Sequence, residues 1–142
     1  MGFIDRIKTL GSHAFGNHGE AIALSGLQAA VRAGDDLHAT LELVGGEHDV
    51  NLDAVLLRLD EERLIYDNPR HGDFDFWREA AAVTVSLAGR SLARGQRLSV
   101  PLVLKLPVDL EPSANHRRYR VTAKLQAPGR HPSASALVAV VD

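Results

Sequence analysis

Between Gly95 and Pro107 the chain reads GQRLSVPLVLKLP, and Leu98, Val100, Leu102, Leu104 and Leu106 occupy every second position. Side chains of an extended strand point alternately to its two faces, whereas a helix repeats every 3.6 residues. This spacing therefore specifies a strand buried on one side. The pattern recurs. Leu37, Ala39, Leu41 and Leu43 oppose His38, Thr40 and Glu42, and Tyr119, Val121, Ala123 and Leu125 oppose Arg118, Arg120, Thr122 and Lys124. Strands with one apolar and one polar face belong to antiparallel sheets packed on a single side.

Weaker runs complete the picture. Ile22, Leu24, Leu27, Ala29 and Val31 read as one strand disturbed at Gly26, where an isolated glycine signals a bulge or a close backbone approach. Val50 and Leu52 are out of phase with Val55, Leu57 and Leu59, so a bulge is expected around Asp53 and Ala54. Ala81, Val83, Val85 and Leu87 form another strand, and ALVAVV the last. Between them, AGDD, VGGEHD, ARGQ and APGRHPS are turns. Asp60 to Glu79 reads as a long connection with at most a short edge strand. About seven strands separated by turns imply an all-β chain, an immunoglobulin-like antiparallel β-sandwich. With no cysteine, the disulfide-centred core of an antibody domain is excluded.

A chain of 142 residues is expected to form one domain over 1–142, long enough to bury a core without staples. Aromatic residues are only 5% of it, so Leu, Val, Ile and Ala must fill that core. The net charge of -2, with both signs interspersed, gives no nucleic-acid footprint. No run is long and apolar enough for a transmembrane segment. Asp5, Arg6 and Lys8 interrupt any signal-peptide core, and the absence of cysteine fits a cytoplasmic setting. Phe3, Ile4, Ile7 and Leu10 fall at helical spacing, which predicts a short amphipathic helix over 1–12. It either packs on the domain or docks elsewhere.

Reactive chemistry is sparse. The seven histidines show neither the i, i+2 nor the i, i+4 spacing that brings two imidazoles onto one ion, so no metal site is expected. Asp67, Asp73 and Asp75 share a loop but lack the EF-hand spacing. Glycine-rich phosphate loops, the nucleophile elbow and the zinc-protease motif are all absent. The expectation is a protein that is not an enzyme, with no cofactor and no catalytic residue. The alternative class is a small-ligand- or metal-dependent enzyme or carrier built on the sandwich.

Two features suit recognition. Tyr66, Phe74, Phe76 and Trp77 gather most of the aromatic residues in one connection. They are either rings capping the core from an edge strand or an exposed patch of the kind that dominates binding hot spots. Arg118 and Arg120, with Lys124, line the outer face of a strand, while Tyr119 between them faces inward and is unable to stack on bases. The candidate partner-binding residues are thus Tyr66, Phe74, Phe76, Trp77, Arg118 and Arg120, for a protein partner.

The order of these signals resembles the bacterial sporulation-control SpoOM-type family. The resemblance rests on the opening amphipathic stretch with GSHAFG, on VRAGDDLHATLELVGGEHDVNLDAVLLRL, and on RSLARGQRLSVPLVLKLPVDLEPS. It implies an arrestin-like β-sandwich without catalytic residues, acting through protein–protein contacts in the cytoplasm. That family typically carries two sandwiches in tandem. A lone one would be free to form a homodimer through the face its sister would cover.

Overall fold

The computed structural model describes residues 13–14, 21–63, 77–129 and 131–142. Among them are nine strands: β1 (His13–Ala14), β2 (Ala21–Ser25), β3 (Ala30–Arg32), β4 (Asp36–Val44), β5 (Val50–Arg63), β6 (Arg78–Leu92), β7 (Arg97–Lys105), β8 (Arg117–Gln126) and β9 (Ser133–Val141). They form two sheets, ordered β1-β2-β4-β7 and β3-β9-β8-β5-β6. The core lies between them: Leu37, Leu41 and Leu43 of β4 and Val100, Leu102 and Leu104 of β7 meet Val55, Leu57 and Leu59 of β5 and Val121, Ala123 and Leu125 of β8. The inward positions expected from alternation in β4, β7 and β8 are buried, Leu98 alone being half-buried, and Glu42 on the other face of β4 is buried as well.

Four details differ from the sequence expectation. The run from Ile22 to Val31 is two strands rather than one. Gly26, with a φ of 62°, turns the chain out of the first sheet, and β3 then joins the second beside β9. That pairing is parallel, so the sandwich is not wholly antiparallel. With β1, this division raises the strand number from about seven to nine. Finally, Asp60 to Arg63 continue β5, and Arg78 and Glu79 begin β6, so the expected long connection is shorter at both ends. The stretch 1–12, where a helix was expected, lies outside the described residues.

The bulge expected near Asp53 is present, as a register shift between Leu52 and Ala54 against β6; a second shift falls between Leu59 and Asp60. β7 is an edge strand, which is why it accommodates Pro101 in its middle: a residue without an N–H is tolerated where no further strand needs one. The chain crosses from β6 to β7 through the turn at Ala93–Gln96, seated against Gly45. The Gly45 N–H donates to the Gln96 carbonyl at 2.7 Å, and the Gly95 N–H donates to the carbonyls of Gly45 and Gly46, each at 3.2 Å. The residues before β8 are pinned as well. The Ser113 N–H donates to the Val140 carbonyl at 2.7 Å, and its hydroxyl accepts the Val140 N–H at 2.8 Å.

A candidate interaction surface on the second sheet

The outer face of the second sheet is built where β5 lies between β6 and β8. The β5–β8 register places Asp60 opposite Arg120 and Glu62 opposite Arg118. Residues directly opposed on one face of a sheet interact, and opposite charges there stabilise the pair. Arg118 Nε donates to Glu62 Oε1 at 2.6 Å. Asp60 is almost fully buried, at 1% exposure, and takes two guanidinium groups, Arg58 at 2.9 Å and Arg120 at 3.5 Å. Charges this deep are tolerated because they are paired. The acidic run DEE is strand rather than turn for the same reason.

Trp77 completes the surface. It stands immediately before β6, half-buried, and both arginines reach its ring, Arg120 at 4.2 Å and Arg118 at 5.3 Å from the centroid. A guanidinium over an indole face is attracted by the ring quadrupole, by about 0.5–2 kcal/mol depending on solvation. Each arginine therefore bridges a carboxylate and the indole, which sets both heads over one aromatic plane. The result is a rigid patch with an apolar ring, two oriented cations and a half-exposed rim.

Three of the six candidate residues, Trp77, Arg118 and Arg120, thus meet. Tyr66, Phe74 and Phe76 lie outside the described residues, as do Asp67, Asp73 and Asp75. Asp60 and Glu62 were not singled out as site residues, and the register opposite the arginines is the signal that finds them. Removing Asp60 leaves Arg58 and Arg120 without their shared carboxylate. Asp60→Ala is expected to destabilise the fold by about 1–2 kcal/mol, the partial exposure of both arginines softening the loss. Urea unfolding measures this, and an unchanged midpoint would place the pair outside the stabilising contacts.

On the opposite face of the same strand, Glu61 points inward at the end of the core. It accepts from the Tyr119 hydroxyl at 3.0 Å and from Arg63 Nε at 2.7 Å, and it pairs with Arg117 at 3.4 Å. Arg117 also pairs with Glu111 and donates to the Pro112 carbonyl at 3.2 Å. This inner cluster holds the connection between β7 and β8 in place, and its members other than Tyr119 carried no signal in the sequence beyond their charge.

Among the described residues, no three His, Asp or Glu side chains gather as a metal ion would require. Nor is any described helix long and apolar enough to cross a membrane.

No family model matches the chain, and no curated protein matches it. Among solved structures, that of Spo0M, a sporulation control protein from Bacillus subtilis, superposes with a TM-score of 0.69 over 93% of this chain, at 15% sequence identity. The match takes in 50% of that protein, so the chain spans about half its length. The two-sheet architecture and this superposition agree with the resemblance read from the strand order: the chain has a Spo0M-like arrestin fold.

Proposed function

We propose that the chain is a non-enzymatic, cytoplasmic interaction module, a single arrestin-like unit that binds a protein partner through the second sheet. The observation that carries this reading is the convergence of Trp77, Arg118 and Arg120 on one outward patch. Tryptophan and arginine are the side chains most enriched in binding hot spots, and these are already held in place before a partner arrives. A regulatory role of the kind named for Spo0M is part of the proposal and rests on the shared fold.

The edge beside the patch supports it. β6 is the edge of its sheet, and among the described residues no strand pairs with its far side. Natural edges are guarded by proline, lysine or other charges. β7, the edge of the other sheet, carries Pro101 within it and Arg97 and Lys105 at its ends, whereas β6 has no charged residue from Ala80 to Gly89. An unguarded edge of this length suits β-augmentation: a partner segment adds as a further strand through main-chain hydrogen bonds while the tryptophan–arginine patch reads its side chains.

The test is affinity capture from source-cell lysate with the wild-type chain, a Trp77→Ala variant, and a variant with Ala82→Lys and Thr84→Lys on the exposed side of the edge. Circular dichroism establishes that all three are folded. One protein held by the wild type and lost by both variants is the expected result, and a second copy of this chain in that role identifies a homodimer. Equal capture by all three sinks the reading.

A further inference from the structure

Next to the tryptophan–arginine patch, the outer face of β8 and β9 is hollowed into a shallow basin of about 320 Å³. Its floor is a small grid set by the sheet register. Arg58, Thr122 and Ser135 lie in one row, and Lys124 and Ser133 in the next, while Arg120 stands on the other side of Thr122. Hydroxyls and cations thus share one face across three strands, with Leu56 beside Lys124 and His131 also in the lining.

Two observations point to a ligand. Thr122 Oγ1 and Arg120 Nε are buried polar atoms without a hydrogen-bond partner, and both belong to residues lining the basin. A buried hydroxyl left unpaired costs stability, so a fold that keeps one at the centre of a polar hollow gains when an acceptor arrives. The charge balance is also unfinished. Arg58 and Arg120 share the carboxylate of Asp60, while Lys124 faces solvent and has no ion pair among the described residues. Three cations thus meet one carboxylate, an excess that suits a doubly charged guest.

We infer that this basin binds a small soluble phosphate monoester, its phosphoryl group seated over Thr122 between Arg58, Arg120 and Lys124. A phosphoryl group presents three acceptor oxygens and close to two negative charges at neutral pH. Threonine and serine hydroxyls donate to those oxygens, the guanidinium of Arg58 or Arg120 offers paired N–H groups, and Lys124 adds a mobile point charge. Because Thr122 Oγ1 is buried, the partly exposed Arg58 and the exposed Lys124 side chains must shift for the anion to reach it, while Arg120 offers its Nε from its place between Asp60 and Trp77. A single carboxylate satisfies fewer donors here and leaves part of the positive charge uncompensated. The site shares Arg120 with the tryptophan–arginine patch but is centred on Thr122 and Lys124, and variants at those two positions leave Trp77 and both arginines in place, so this proposal and the proposed protein contact are able to fail independently.

The test is titration of the 15N-labelled chain with sn-glycerol 3-phosphate at constant ionic strength, followed by NMR. Saturable shifts centred on Thr122, Lys124, Ser133 and Ser135 are expected. Thr122→Val keeps the shape and removes the unpaired hydroxyl, so it retains or raises the melting temperature while weakening binding at least tenfold. Lys124→Gln, at an exposed position, weakens binding by a similar factor, and Lys124→Arg restores most of it. A parallel arm uses phosphatidylcholine vesicles containing phosphatidic acid. Capture by the vesicles without binding of the soluble ester overturns the proposal, because the phosphate would then come from a lipid surface. Shifts elsewhere, or unaltered affinity in Thr122→Val and Lys124→Gln, overturn it as well.

Discussion

Gly45→Ala is expected to lower the stability of the fold by about 3–5 kcal/mol, although it adds a single methyl group. A Cβ at this position would lie 2.0 Å from the Ala93 carbonyl oxygen and 3.0 Å from its carbon. Both are main-chain atoms, so no side-chain rotation relieves the clash, and the whole Ala93–Gln96 turn must retreat. That retreat breaks the bonds between Gly45 and the turn, and it disturbs the Arg94 N–H bond to Asp49 at 3.0 Å. Each is worth about 1 kcal/mol, on top of an overpacking penalty of about 1–3 kcal/mol. For a chain of this size the melting temperature should fall by about 10 °C or more. Gly95→Ala is the comparison. Gly95 has a φ of 69° with open space around it, so alanine there meets only left-handed backbone strain of about 1 kcal/mol. Scanning calorimetry on both variants measures the difference. Equal losses would mean that the close approach at Gly45 is not what holds the turn.

The second large effect concerns Tyr119, the bulkiest fully buried side chain among the described residues. Tyr119→Ala removes a ring from between the sheets and is expected to cost about 3–5 kcal/mol. Tyr119→Phe separates the hydroxyl from the ring. That hydroxyl has one proton and two acceptors, the Glu111 carbonyl at 2.6 Å and Glu61 Oε2 at 3.0 Å, and its loss should cost about 1 kcal/mol. The two variants also differ from the wild type in pH dependence. Burial, and then the hydrogen bond to Glu61, push the phenol pKa well above its ordinary value. In the unfolded chain the phenol ionises near pH 10. The neutral phenol therefore stabilises the fold fully below about pH 10, and this contribution is lost as pH rises toward the folded value. Urea midpoints measured from pH 8 upward should show the advantage of wild type over Tyr119→Phe shrinking above about pH 10. A constant difference would show that the phenol does not titrate with unfolding.

Much of this architecture is legible in residue order, and the exceptions have physical causes. β4 and β8 are readable because one face is apolar and the other mostly polar, and β7 because leucine or valine fills every second position. The bulge near Asp53 is readable because the apolar residues change phase there, Val50 and Leu52 against Val55, Leu57 and Leu59, where the register with β6 shifts. The same phase change at Gly26 has two explanations, a bulge or a change of sheet. Only the pairing of β3 with β9, far along the chain, decides between them. Asp60 to Glu62 resemble a charged turn until the arginines of β8 are set opposite. In the candidate surface, Trp77 and the two arginines were each suggested by their own segments. Their meeting follows from the order β8-β5-β6, which no local pattern encodes.

That strand order also has a consequence in time. Every strand of the first sheet has been made once Lys105 is in place, and its strands β2, β4 and β7 pair among themselves. The second sheet has to wait. β5 and β6 pair with each other, but β3 neighbours only β9 and β8 must enter between β5 and β9, so β3 waits unpaired until β8 and β9 have been made. Contacts so distant along the chain demand loop-closure entropy before they return any stabilisation, which places folding in the millisecond-to-second range rather than the microsecond range. During synthesis on a ribosome, the inner surface of the first sheet, lined by Leu37, Leu41, Leu43, Leu102 and Leu104, has only the β5–β6 pair to cover it through the interval it takes to make β8 and β9. The nascent chain is therefore most exposed to aggregation, and most in need of a chaperone, until β8 and β9 have been made.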